Sequence, residues 1–113
     1  MLRPNRGEIW LADLDPSRRH EQAGRRPMLV VSEDLFNHGP ADLVIVIPLT
    51  AVYRGIPSHV PITPPEGGLK KMSFVMCEMI RSIAKERLVV RRGRISGSTL
   101  TRVEDGLRIL LRL

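Results

Sequence analysis

The chain has 113 residues, which suits one compact domain and leaves no room for two, so residues 1–113 are expected to form a single domain. Apolar residues make up 42% of the chain, which excludes intrinsic disorder, and scarce aromatics predict a core of Leu, Ile and Val. The chain has 18 basic residues, mostly arginine, and 12 acidic residues, which gives a net charge of +6. This charge favours a polyanionic partner, and a nucleic acid more than a membrane.

The first half of the chain predicts three strands. GEIWLADL, 7–14, is a plausible first strand, which would place Ile9, Leu11 and Asp13 on one face and Trp10, Ala12 and Leu14 on the other. PMLVVS, 27–32, is an apolar second strand that begins at Pro27, and EDLFNHGP, 33–40, is one helical turn. DLVIVIPL, 42–49, is rich in branched residues and predicts the third strand.

The second half predicts further short strands. HVPIT, 59–63, is one that Pro61 restricts to the edge or end of a sheet. MSFVMCEMI, 72–80, is the next, and RSIAKERLVVRRGR, 81–94, contains a turn and another strand.

The tail, 96–113, predicts a helix with Ser98 as its N-cap. Its apolar residues recur at helical spacing at Leu100, Val103, Leu107 and Leu110. Five to seven strands followed by one helix predict a mainly β fold with α structure, a strongly bent antiparallel barrel or half-barrel. Strands this short leave unpaired edges and exposed apolar surface, so we expect a homodimer.

Cys77 is the only cysteine, so no internal disulfide forms, and its apolar neighbours predict a buried, inert thiol. The first residues lack the apolar segment of a signal peptide, and no apolar run is long enough to span a bilayer. These features predict a cytoplasmic protein with no membrane partner.

Metal and cofactor chemistry have no support in the sequence. The three histidines, His20, His38 and His59, show no ligand spacing, and one cysteine cannot supply a zinc finger. The chain contains neither a P-loop nor a dinucleotide fingerprint. We therefore expect no cofactor and no metal site.

Two loops contain the polar residues that could take part in binding or catalysis. The first loop, DPSRRHEQAGRRP, ends beside the second strand. The second loop, TAVYRGIPS, begins with Thr50. Because strand ends on one side of a meander cluster in space, Arg26 and Thr50 are expected to meet over one shallow groove. The two loops contain Arg18, Arg19, His20, Glu21, Gln22, Arg25, Arg26, Thr50, Tyr53 and Arg54.

A groove of this kind suits cleavage of RNA without metal. The reaction needs a base for the ribose 2′-hydroxyl, an acid for the departing 5′-oxygen, and fixed positive charge for the phosphorane-like transition state. Arg26 supplies permanent charge and a bidentate fork, and Thr50 supplies a hydroxyl. Simpler interpretations stay open at this point: a solvated Arg25–Arg26 turn, a Thr50 that only ends a strand, and a Glu21 that only neutralises its neighbours.

The motifs RGEIWLADLDP, HEQAGRRPMLVVS and FN, followed by VIVIPLT and CEMIRSI in the same order, resemble the MazF/PemK family of toxins. Members of that family are the endoribonuclease halves of toxin–antitoxin pairs. The resemblance covers nearly the whole chain, is strongest over 6–37, and is weakest over 53–71 and in the final helix.

The resemblance implies a compact SH3-like barrel with a terminal helix, working as a homodimer. It implies metal-independent, sequence-specific cleavage of single-stranded RNA that leaves a 2′,3′-cyclic phosphate and a 5′-hydroxyl, inhibiting translation and growth. An acidic antitoxin protein is the implied partner.

The resemblance also implies roles for individual residues. Arg26 falls on the family's central catalytic arginine, and Thr50 falls on its phosphate-binding, catalytic threonine. Glu78 matches the proposed base of the PemK-like branch, and His20 matches a histidine of that branch. Glu21 and Gln22 fall on the EQ of the family's first loop.

One position departs from that pattern. PemK-like members can carry an arginine two residues before the acid, where this chain has Met76. The acid that protonates the leaving group is then Arg26, His20 or water, and the division of labour among Arg26, Glu78 and His20 stays open.

RNA is expected to bind as an unstacked single strand. Trp10 and Phe74 are expected in the core, which leaves Tyr53 as the base-stacking residue. The run RLVVRRGR either extends the basic face or is a solvated strand edge. The arginines of that run are Arg87, Arg91, Arg92 and Arg94. Phosphate contacts are expected from Arg18, Arg19, Arg25, Arg54 and Lys70.

Three other functions stay open on sequence grounds. The fold is shared with gyrase-poisoning toxins, although the HEQAGRRP block disfavours that activity. The chain is alternatively a catalytically inert RNA-binding barrel, or a protein-interaction subunit, which its charge disfavours.

Overall fold

The structure of the protein, a computed structural model, describes residues 3–14 and 24–113. Within these residues, seven strands and two α-helices are formed. The strands are β1 (Glu8–Asp13), β2 (Arg25–Val30), β3 (Leu43–Thr50), β4 (His59–Ile62), β5 (Ser73–Met76), β6 (Arg81–Ala84) and β7 (Leu88–Arg94). The helices are α1 (Asp34–Asn37) and α2 (Gly97–Leu111).

The strands form one antiparallel sheet in the order β4-β5-β3-β2-β1-β7, with β6 paired to β3 outside this path. β3 is long enough for two partners on one side: its first half pairs with β6, and Leu49 and Thr50 pair with β5. Pro61 lies in β4, an edge strand, as its missing N–H predicts.

Five strands curl around one apolar core. Because side chains alternate between the two faces of a strand, β6, β3, β2, β1 and β7 each direct one set inward. This arrangement is a small SH3-like barrel, and the predicted mainly β fold with a terminal helix is confirmed. The interior residues are Trp10, Ala12, Met28, Val30, Val44, Val46, Ile83 and Leu88.

A second core lies on the outer face of the same strands, where α2 and the β4–β5 hairpin pack. Val103 of α2 is fully buried there, while Leu110, predicted to continue the apolar stripe, is 44% exposed. A Cβ added at Gly106 would lie 3.2 Å from Cys77 Sγ, so the missing side chain lets the helix approach the fully buried thiol closely. The predicted burial of Cys77 is confirmed.

The N-cap of α2 differs from the sequence prediction. Ser96, not Ser98, caps the helix, and its Oγ accepts a hydrogen bond from the backbone N–H of Thr99 at 3.2 Å. Ser98 lies inside the first turn, where its side chain cannot reach the orphan N–H groups in this way.

Two strand boundaries also differ. β2 begins at Arg25 rather than Pro27, because β1 extends far enough for Ala12 and Asp13 to pair with Arg26 and Arg25. The strand predicted over 72–80 ends at Met76, where a single 3-10 turn, Cys77–Met79, follows.

Candidate functional site

A groove of about 450 Å³ lies where β2 begins, where β3 ends, and where the loop before β5 passes both strands. Its described lining residues come from three chain segments that are distant in sequence. They are Arg26, Pro27, Leu49, Thr50, Ala51, Val52, Leu69, Lys70, Lys71 and Ser73.

Arg26 and Thr50 are brought together by strand register. Met28 of β2 pairs with Pro48 of β3, and continuing that register by two residues towards the strand ends sets Arg26 across from Thr50. Opposed residues present their side chains on the same face of a sheet. Both residues line the groove, as the clustering of strand ends predicts.

The hydroxyl of Thr50 is oriented by the turn that follows β3. Its Oγ1 accepts a hydrogen bond from the backbone N–H of Val52 at 3.2 Å. With one lone pair occupied in this way, the hydroxyl proton is left to donate towards an acceptor in the groove. A phosphate oxygen is an acceptor of the required kind.

The polar lining of the groove is cationic. Arg26, Lys70 and Lys71 are exposed, and none of the described lining residues is acidic. Ser73 Oγ donates to the backbone carbonyl of Lys71 at 2.9 Å, which fixes the course of this loop. Lys70 was predicted from the sequence and Lys71 was not, although two adjacent lysines beside a strand were a visible signal. We call Arg26, Thr50, Lys70 and Lys71 the cationic groove.

Glu78 lies in the 3-10 turn after β5 and is not among the residues that line the cationic groove. Its two carboxylate oxygens are engaged separately: Ser58 Oγ donates to Oε1 at 2.6 Å, and His59 Nε2 lies 2.7 Å from Oε2. Burial opposes ionisation, but these two hydrogen bonds outweigh it and lower the pKa of Glu78. We call Ser58, His59 and Glu78 the Glu78 cluster.

His59 is the buried member of this cluster, with a side chain only 4% exposed. Its Nδ1 finds no hydrogen-bond partner among the described residues. The tautomer with the proton on Nε2 therefore suits the site, because that proton is donated to Glu78 while Nδ1 needs no acceptor. This contact was not predicted from the sequence, where His59 was weighed only as a metal ligand.

The other sequence-selected residues are distributed around the groove. Arg25 is exposed, but it is not among the residues that line the groove. Tyr53 and Arg54 are exposed in the segment that follows β3. Five more of the selected residues, Arg18, Arg19, His20, Glu21 and Gln22, lie outside the described residues.

Phe74 is not a core residue, contrary to the sequence prediction. It is half-buried, and its ring centroid lies 5.7 Å from that of Tyr53. On β5, Ser73 and Val75 point inward, so the alternation of the strand turns Phe74 to the other face.

Part of the arginine run on β7 serves an internal ion pair. Arg91 Nε donates to Glu8 Oε2 at 2.8 Å, and Arg94 Nη2 lies 3.8 Å from the same oxygen. Glu8 is buried, which would raise its pKa, but hydrogen bonds from Trp10, Asn5 and Arg91 outweigh burial and lower it. The run thus helps to hold β1 against β7, and only part of its charge is available to a partner.

Over the residues that the structure describes, no group of three or more His, Cys, Asp or Glu side chains is arranged to hold a metal ion. No helix in the same residues is both long and apolar enough to cross a bilayer.

Comparison with known proteins decides the family. A family model described as "PemK-like, MazF-like toxin of type II toxin-antitoxin system" matches residues 5–111. The chain belongs to the PemK/MazF toxin family. The PemK/MazF resemblance that the sequence motifs carry is therefore confirmed.

Individual PemK/MazF relatives match over nearly their whole length. Endoribonuclease MazF9 of Mycobacterium tuberculosis is 37% identical, with 96% of each chain covered. Endoribonuclease EndoA of Bacillus subtilis is 33% identical over 96% of this chain and 94% of its own. A mycobacterial endoribonuclease solved in complex with its cognate antitoxin superposes with a TM-score of 0.78 at 26% identity, covering 97% of this chain and 96% of its own.

Proposed function

We propose that this chain is an endoribonuclease toxin that cleaves single-stranded RNA at the cationic groove. The observation that carries the proposal is the convergence of Arg26 and Thr50, from separate strands, on one groove whose described lining has no acidic side chain. The MazF9 and EndoA relatives, both named endoribonucleases, support it independently.

The proposed reaction is attack by a ribose 2′-hydroxyl on the adjacent phosphorus. The bond from phosphorus to the 5′-oxygen breaks, leaving a 2′,3′-cyclic phosphate and a 5′-hydroxyl. Negative charge on the phosphoryl oxygens increases in the transition state. The guanidinium of Arg26, which is permanently charged and can donate two hydrogen bonds, stabilises this charge. Thr50 donates its hydroxyl to one of these oxygens. The lysines of the groove bind the phosphates on either side.

Glu78 is proposed as the base that removes the 2′-hydroxyl proton. Its lowered pKa keeps it ionised at neutral pH, which is the protonation state that a base needs, although it also reduces the driving force for proton transfer. Arg26, His20 or water protonates the leaving oxygen. No step in this scheme requires a metal ion, because guanidinium and ammonium groups supply the positive charge.

Two protein partners are part of the proposal. An acidic antitoxin is expected to lie across the cationic groove, where its carboxylates compete with RNA phosphates, in keeping with the antitoxin-bound mycobacterial neighbour. A second copy of the chain is expected to cover exposed apolar side chains, and light scattering at micromolar concentration tests for the homodimer. Such side chains include Leu35, Ile109, Leu111 and Leu113.

Incubation of the purified protein with a long mixed-sequence RNA and a strong chelator tests the activity. We expect cuts at a defined sequence, with new 5′ ends that need phosphorylation before ligation. Loss of cutting in chelator, restored by magnesium, would overturn metal independence. Binding without cuts would identify an inert RNA-binding barrel, and a supercoiling assay would reveal a gyrase poison.

A further inference from the structure

Tyr53 and Phe74 form an aromatic pair on the surface of the molecule. Their ring centroids lie 5.7 Å apart with planes tilted by 58°. Tyr53 is 76% exposed, and its ring lies beside Gly55. A Cβ added at Gly55 would lie 3.5 Å from Tyr53 Oη. The pair therefore presents an aromatic surface to solvent, most of it from Tyr53.

The pair lies directly beside the cationic groove. Phe74 of β5 is the cross-strand partner of Thr50, the groove residue with the oriented hydroxyl. Cross-strand partners share one face of the sheet, with Cβ atoms about 4.5–5.5 Å apart. On the other side Phe74 pairs with Pro61, which is also exposed. The order across the sheet is thus Thr50, the Phe74 ring, and Pro61.

Folding alone does not account for this placement. An exposed ring buries little surface and contributes little to stability. Cations on one side and exposed aromatic faces on the other are the two parts that single-stranded nucleic acids require, because phosphates need positive charge and unstacked bases need a ring to stack on. Few other aromatic residues exist in the chain, and Trp10 is buried in the barrel.

We propose that Tyr53 and Phe74 form a stacking subsite for the nucleobase that adjoins the phosphate held by Thr50. This inference rests on the proposed function, and it deepens it by assigning a position for a base relative to the reacting phosphate. Stacking accepts every base, so the subsite holds the strand in register with the groove and contributes to substrate affinity more than to the chemical step.

A binding experiment tests the subsite without catalysis. The probe is a set of short 2′-O-methyl oligonucleotides, which cannot be cleaved, each with 2-aminopurine at a different position. Stacking quenches the fluorescence of this base. We expect one position to be quenched by the wild-type protein and by Tyr53→Phe, which keeps the ring, and quenching there to be lost in Tyr53→Ala. Phe74→Leu, which keeps apolar volume without a ring, is expected to reduce quenching too.

Cleavage kinetics provide the second readout. Tyr53→Ala is expected to raise KM about tenfold with kcat changed much less, consistent with the loss of one base stack. Leu43→Ala, which trims a 37% exposed apolar side chain at the end of β3 opposite to Thr50, is the matched control and should leave both constants unchanged.

The outcomes separate the subsite from the proposed function. Equal quenching by wild type, Tyr53→Ala and Phe74→Leu at every position would overturn the subsite, even if all three cleave RNA. Quenching that depends on the rings, in a protein that cuts no RNA, would support the subsite and reject the nuclease. If Tyr53→Ala keeps wild-type oligonucleotide binding and loses only antitoxin binding, the pair is a protein-docking surface and the proposal fails.

Discussion

The cationic groove and the Glu78 cluster use polar side chains in opposite ways. In the groove, three cations are exposed and the Thr50 hydroxyl keeps its proton available. In the cluster, both oxygens of the one carboxylate already accept hydrogen bonds from Ser58 and His59. The groove is arranged for a ligand, whereas the cluster is largely satisfied within the protein.

This difference indicates how the two sites divide the work. A group with open bonding capacity gains most when a phosphate arrives, so the groove is expected to provide most of the transition-state stabilisation. A carboxylate with two fixed donors is held in place and kept ionised, but it is a weaker base. Substitution of Arg26, which supplies the permanent charge of the groove, should therefore have a larger effect than substitution of Glu78 in the cluster.

The largest effect is expected from Arg26→Ala. Loss of one preorganised donor to a developing negative charge costs about 100- to 1,000-fold, and we expect a fall in kcat of about 1,000-fold because permanent charge is lost as well. Single-turnover cleavage of a defined RNA measures it, with circular dichroism to verify folding.

Arg25→Ala is the matched control for this substitution. It removes the same charge from the neighbouring residue, whose side chain is directed to the opposite face of β2. We expect a loss of at most about tenfold, of the size of a single charged contact. A folded Arg26→Ala protein as active as wild type would remove the groove from the mechanism.

Glu78→Gln is expected to lower kcat by about 100-fold, the low end for loss of a general base, because the lowered pKa of Glu78 makes it a weak one. The amide keeps the size of the side chain, so the Ser58 contact can persist. Rates equal to those of wild type would exclude Glu78 as the base and leave the groove to act without the cluster.

Thr50→Ala should reduce kcat about tenfold through loss of one hydrogen bond to a charged oxygen. Thr50→Ser retains the hydroxyl that accepts from Val52 N–H, and it should recover most of the rate. If the two variants are equally impaired, the methyl group rather than the hydroxyl matters, and the proposed donor is wrong.

Lys71→Ala tests whether the groove residue that sequence analysis missed contacts RNA. We expect a few-fold loss of affinity and a salt-dependence slope reduced by about 0.7, the value for one phosphate contact on a single strand. Fluorescence anisotropy across a salt series measures both, with Arg112→Ala, at the far end of α2, as the charge-matched control. A slope identical to that of wild type would remove Lys71 from the interface.

Ser58→Ala is expected to leave the rate at neutral pH nearly unchanged while altering its pH dependence. The mutation removes a donor that lowers the pKa of Glu78, so the acidic limb of kcat/KM should move to higher pH. Since the folded pKa lies below the unfolded one, stabilisation by this carboxylate is present above the unfolded pKa and lost as pH falls through the folded value. If the acidic limb of the pH profile does not move, that limb does not report the ionisation of Glu78.

Much of the groove was predictable from sequence because it depends on local rules. Strand periodicity located β2 and β3, and adjacent ends of antiparallel strands implied that Arg26 and Thr50 meet. The exposure of Phe74 was not predictable in this way, because alternation separates the two faces of β5 without stating which one is covered. His59 and Glu78 meet only through tertiary packing of β4 beside the turn after β5, and no spacing rule relates them.

The close contact between Gly106 and Cys77 makes the Cys77 thiol a natural probe for separation of α2 from the sheet. The thiol is fully buried, and burial together with the nearby Glu78 carboxylate raises its pKa to about 11. At neutral pH it is protonated and inaccessible to alkylating reagents while α2 stays docked. The rate at which such a reagent modifies the wild-type chain therefore measures how often the helix separates from the sheet, without any engineered label.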